Sequence, residues 1–122
     1  MEQSSGNNAS GAESALQAVS NGLVHLMSES YGRGPTKAKT YILDDIYVCC
    51  IMHEIFTTAE QTLIEAGEVD LVRRTRLVFQ TALSNDFKAV VANALGRRVL
   101  TYQSQVVVDP PTGLEFFILG EA

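Results

Sequence analysis

The chain has no tryptophan, two cysteines and three prolines among its 122 residues. Each scarcity excludes something. The cysteines, Cys49 and Cys50, are adjacent. Neighbours on a strand point to opposite faces, so a disulfide between them would need a strained small ring. No second Cys/His pair stands at zinc-ligand spacing. Both are expected as reduced thiols, and no metal or cofactor is expected. No apolar run approaches the ~18 residues of a membrane span. The opening MEQSSGNNASGAES lacks the basic region and apolar core of a signal peptide. The expectation is a cytoplasmic protein that does not itself insert into a membrane. Basic residues are also few: the net charge is −5. A nonspecific nucleic-acid binder would carry a basic domain, so nucleic acid is not an expected partner.

What is present is ordinary globular composition, with 46% hydrophobic and 19% charged residues. The length suits one domain. Residues 1–12 are mostly Ser, Gly, Asn and Gln with little to bury, and read as a disordered tail. Residues 13–122 read as a single folded unit.

From Glu13 the apolar positions take a helical period: Ala15, Leu16, Val19, Leu23, Leu26, Met27. Gly22 weakens that helix slightly. Gly32 suits a left-handed C-cap, and Pro35 blocks continuation. Residues 38–43 and 46–53 read as two antiparallel strands turning at Asp44-Asp45. Thr57 with Glu60 forms a capping box that opens a short helix, which Gly67 ends. A long helix follows over about 68–95. Its expected buried stripe is Val72, Val78, Phe79, Ala82, Leu83, Phe87, Val90, Val91, Ala94 and Leu95, with Arg73, Arg74, Arg76, Asp86 and Lys88 outward. Gly96 caps it, with Arg97 and Arg98 at the negative end of its dipole. Residues 99–108 and 114–119 make a second hairpin across DPPTG.

The order is α-β-β-α-α-β-β. It predicts an α+β two-layer sandwich: two hairpins merged into one antiparallel sheet, helices on one face. The other face keeps apolar residues that need a cover, and a homodimer is the simplest one.

Gly32-Arg33-Gly34-Pro35, the strand pair around Asp45, Thr57-x-x-Glu60, Gly67, Val72, Arg76 and Gly96-Arg97 then Val99 form an ordered set. In it the chain resembles the MpsC-like family, from about residue 13 to 119. Cys49-Cys50 and Met52-His53-Glu54 depart from that pattern. The resemblance implies a small cytosolic bacterial or archaeal protein without known enzymatic activity. It also implies a membrane transporter component as partner, in a system linked to ion movement and inorganic-carbon uptake.

Candidate sites are sparse. Arg33 and Gly34 could hold an anion, with Tyr41 and Arg76 as further candidate contacts. The competing reading is a backbone corner in which Arg33 ties to Asp44 or Asp45. The arginines 73, 74, 76, 97 and 98 form either a basic patch or a solvated face paired with Glu65, Glu68 and Asp70. His25 reads as a partly buried structural histidine. His53 and Glu54 sit at a strand end without a third ligand. No nucleophile–base–orienter set is discernible, so catalysis is not expected. The expected function is a non-catalytic accessory or regulatory protein, with a small-anion sensor as the alternative.

Overall fold

The computed structural model describes residues 2–121, with side chains from residue 11 onward. Helix α1 spans Glu2–Tyr31, β1 Lys37–Leu43, β2 Tyr47–His53, α2 Thr58–Glu65, α3 Val69–Leu95, β3 Val99–Val107 and β4 Thr112–Leu119. The strands form one antiparallel sheet in the order β1-β2-β4-β3. The two hairpins therefore join through their second strands. Helices α1 and α3 pack on each other and on the sheet, and α2 packs on α3. This is the expected α+β sandwich. Helix α1 begins ahead of the expected start near Glu13: its backbone continues through the residues set apart as a tail, back to Glu2. The side chains of residues 1–10 lie outside the described residues.

The turns follow from residue type. Asp44 and Asp45 both have positive φ, 51° and 60°, and Ile46 N–H donates to the Leu43 carbonyl. Aspartate tolerates this backbone region, which β-branched residues do not. Gly32 and Gly96 take φ of 75° and 65° behind α1 and α3. The capping box is present: Thr57 Oγ1 accepts from Glu60 N–H, and Glu60 Oε1 accepts from Thr57 N–H at 2.9 Å.

Strand alternation sorts the sheet into two faces. Val48, Cys50, Met52, Phe117 and Leu119 point inward to Val19, Leu23, Met27, Val72, Phe87 and Val91 of the helices. Tyr102 stacks on Phe117 at 5.0 Å and tilts onto Phe87 at 5.4 Å. On the outer face the register aligns Leu43, Tyr47, Ile118 and Thr101 in one row. The next row is Tyr41, Cys49, Phe116 and Gln103, and a third is Lys39, Ile51, Leu114 and Gln105. Tyr47 and Phe116 stack at 6.1 Å.

The stripe expected for α3 needs correction. Val78 is 64% exposed, and Phe79 and Ala82 are also exposed. Arg76, expected outward, is 1% exposed. Counting back from Val91 and Phe87 by helical steps gives Leu83, Gln80, Arg76 and Val72. The helix turns that line to the core, although two of its members are polar. The apolar residues Leu77 and Val78 are carried out to solvent. Near α1, a Cβ on Gly22 would meet Val90 Cγ1 at 2.6 Å. The glycine that weakens the helix is what lets α1 approach α3.

Candidate functional site

The chemistry-bearing residues gather in two linked places inside the sandwich. The first is Arg76. Its Nε donates to Glu60 Oε2 at 2.6 Å, and Nη2 donates to Glu60 Oε1 at 2.6 Å and to the Ile55 carbonyl at 2.8 Å. The guanidinium lies over the Tyr31 ring at 4.0 Å and the Phe56 ring at 5.6 Å. This is a bidentate, charge-assisted pair with cation–π support. One carboxylate thus closes the capping box of α2 and anchors α3. Burial works against charge on Glu60. The hydrogen bonds from Arg76 and from Thr57 N–H overcome it and hold the carboxyl below its usual range.

The second is Glu115, 4% exposed in the middle of β4. Register explains its company. Thr40, Cys50, Glu115 and Ser104 form a row across the inner face. Ser20 of α1 extends the row, its hydroxyl 2.7 Å from that of Thr40. Tyr102 O–H donates to Glu115 Oε1, and Ser104 Oγ donates to Oε2 at 2.7 Å. Burial pushes the Glu115 carboxyl up to about 7, against the pull of Tyr102, Ser104 and Arg76. Burial likewise raises the Tyr102 hydroxyl and lifts the Cys50 thiol to about 11, leaving it a poor nucleophile. Between Arg76 and Glu115 lies a cavity of about 10 Å³, bounded also by Tyr31, Gln80 and Phe87. That is room for roughly one water molecule, not for a metabolite.

The Gly-Arg-Gly corner is structural in its contacts. Gly32 supplies the positive φ that ends α1. Arg33 Nη1 donates to the Phe56 carbonyl, not to Asp44 or Asp45, which lie at the far end of β1. Gly34 passes so close to α1 that an added Cβ would stand 2.2 Å from Ser28 Oγ. Pro35 sits in the half-buried lead-in to β1. Arg33 and Arg76 therefore tie down consecutive carbonyls of the 55–56 segment. Turning the Ser28 hydroxyl to another rotamer relieves that contact, so Gly34→Ala is expected to cost about 1 kcal/mol or less, read from urea denaturation.

A cleft of about 430 Å³ opens beside Arg33, lined also by Glu54, Phe56, Gln61, Ile64, Glu65, Val108 and Pro111. Tyr41 is elsewhere, 42% exposed on β1 with Lys39 Nζ 5.2 Å from its ring. The structure does not bring Arg33, Tyr41 and Arg76 into one anion site. The basic patch divides as well. Arg97 donates to the carbonyls of Asp45 and Gly120 and pairs with Asp45 Oδ1 at 3.3 Å, closing the sheet end. Gly67 takes φ of 84° between α2 and α3. His25 is exposed rather than partly buried, and pairs with Glu29 at 3.2 Å one helical turn on. Sequence reasoning missed Glu115 altogether. Its signal was a lone glutamate at an inward position of the apolar run LEFFIL.

Fold and centre together define a small α+β sandwich whose buried ionic groups cross-link its own elements and whose outer sheet face lies open. Residues 12–121 match the family model described as "Na+-translocating membrane potential-generating system (MpsC)". The chain belongs to that family. No curated protein and no solved structure matches it. No helix among the described residues is long and apolar enough to cross a membrane.

Proposed function

We propose that this chain is a non-catalytic accessory or regulatory subunit of a membrane system that moves ions or bicarbonate. It acts from the cytoplasmic side as a homodimer, through contact with a membrane-embedded component. The observation that carries the reading is the open outer sheet face. Ile51, Leu114, Phe116 and Ile118 stand there half-buried, outside the core that the described helices close over, on the same face as the exposed Tyr41 and Leu43, and a contiguous apolar surface of this kind marks an interaction site. Family membership supplies the kind of partner. The buried centre supports the non-catalytic part, since its acid, hydroxyls and arginine are engaged with one another around a space for one water. The alternative, a small-anion sensor at Arg33, has less support. That guanidinium is held by the Phe56 carbonyl, and Glu54 and Glu65 line the same cleft.

The test is affinity capture from detergent-solubilised membranes of the source cells, with wild type and Phe116→Glu compared. Wild type is expected to retain an integral membrane subunit of an ion-translocating system, and Phe116→Glu to lose it while keeping its helical circular dichroism. Equal capture by both proteins, or capture of nothing but the chain, would overturn the reading. Arg33 and Arg76 are unsuitable probes because each holds the 55–56 backbone.

A further inference from the structure

The sheet has two edges, and they differ. Strand β3 breaks register between Val99 and Thr101, and an irregularity of this kind blunts an edge against pairing. Strand β1 is regular along all seven residues, KAKTYIL, and pairs only with β2. Its free side therefore presents backbone N–H and C=O groups at strand spacing. A trough between β1 and α1 runs beside it. One half, of about 510 Å³, reaches Glu13 and Leu43; the other, of about 420 Å³, reaches His25 and Lys37. Gln17 and Ser20 line both halves.

Strand β1 is polarised along its length. Lys37, Lys39, Tyr41 and Leu43 are exposed and alternate with Ala38, Thr40 and Ile42, which turn inward. The exposed row is basic in its first half and apolar in its second. The ion pairs among the described residues are His25–Glu29, Glu60–Arg76 and Asp45–Arg97. Both edge lysines stand outside them, in a chain of net charge −5. Lysines on an edge keep off strands of their own charge, a second copy of β1 included. The same lysines attract a strand of opposite sign, because opposite charges directly across a strand pair are stabilising.

We propose that β1 takes up an extended acidic segment of another protein as an added antiparallel strand. Backbone groups at strand spacing recognise a peptide, rather than a lipid headgroup or a free anion. The exposed row then sets the side chains of the occupant. Carboxylates stand opposite Lys37 and Lys39, and apolar side chains opposite Tyr41 and Leu43. Between them, small polar side chains face the trough at Gln17 and Ser20. From its own N-terminus the segment reads apolar-x-apolar-x-acidic-x-acidic. Glu13 lies at the Leu43 end of the trough, away from the acidic half. The strand site rests on the sheet edge and not on the membrane-system reading, and either can fail alone.

Two synthetic peptides test this, acetyl-VTITETE-amide and acetyl-VTITKTK-amide. Each is titrated into the isotope-labelled full chain and followed by backbone amide NMR. Wild type is expected to bind the acidic peptide roughly tenfold more tightly than the basic one. Shifts should centre on residues 37–43, and hydrogen exchange of the β1 amides should slow. Lys37→Glu combined with Lys39→Glu should reverse the preference. Both lysines are exposed, so the fold should be retained, which circular dichroism checks. No saturable binding of the acidic peptide up to about 1 mM would overturn the proposal. So would equal binding of both peptides, or a double variant without the reversal. Shifts without slowed exchange in β1 would also overturn it, since loose charge attraction adds no strand.

Discussion

Arg76→Ala will destabilise the fold by about 3–5 kcal/mol, the range for removing one partner of a buried ion pair. The loss has identifiable parts. Glu60 keeps its burial and loses both oxygens' donors from Arg76. The Ile55 carbonyl loses its partner, and a buried acceptor left unmade carries its own cost of about 1–3 kcal/mol. Tyr31 and Phe56 lose the cation over their rings. Urea denaturation followed by circular dichroism measures the change. Arg76→Lys should recover only part, because an ammonium cannot reproduce the bidentate fork. Arg76→Met with Glu60→Gln should recover more than Arg76→Ala, since neither partner is then left charged and alone. If Arg76→Ala costs under 1 kcal/mol, the pair is not what joins α2, α3 and the 55–56 segment.

Glu115 will make stability fall as pH rises from about 4.5 to about 7. Its folded-state carboxyl lies near 7 and its ordinary value is 4.5. Between those values the unfolded chain has released the proton and the folded chain still holds it. The folded state then binds more protons, so stability drops with rising pH. Above about 7 the penalty is complete, at most about 3 kcal/mol. Glu60 acts in the opposite sense and in a lower window. Its depressed carboxyl stabilises above the ordinary value, and that contribution is lost only as pH falls through the folded one. Denaturation midpoints of wild type and Glu115→Gln, measured from pH 4 to pH 8, separate the two. The difference between the proteins should change across 4.5 to 7 in favour of Glu115→Gln and level off above. A constant difference would show that the folded Glu115 carboxyl titrates no higher than in the unfolded chain.

These two residues mark the limit of what the chain's pattern discloses. Hairpins, caps and element order were legible because they are local. Asp44-Asp45 accepts left-handed backbone, Thr57 and Glu60 close a box three residues apart, and Gly32, Gly67 and Gly96 take the left-handed backbone that ends each helix. Alternation gave Cys49 and Cys50 opposite faces. All of this depends on neighbours within a few residues, and so the α+β sandwich followed.

The centre does not depend on neighbours. Arg76 reads as a surface residue because charge belongs in water, and only the closure of α2 onto α3 supplies Glu60 and the Ile55 carbonyl as partners. Arg33 meets Phe56 rather than Asp45 because the corner and the turn lie at opposite ends of β1. Glu115 is polar on an apolar face, a conflict that Tyr102 and Ser104 resolve from the adjacent strand. Local propensity determined which elements this sequence forms. Only the tertiary structure decided which charges go inside, because a buried charge is stable solely through partners brought from far along the chain.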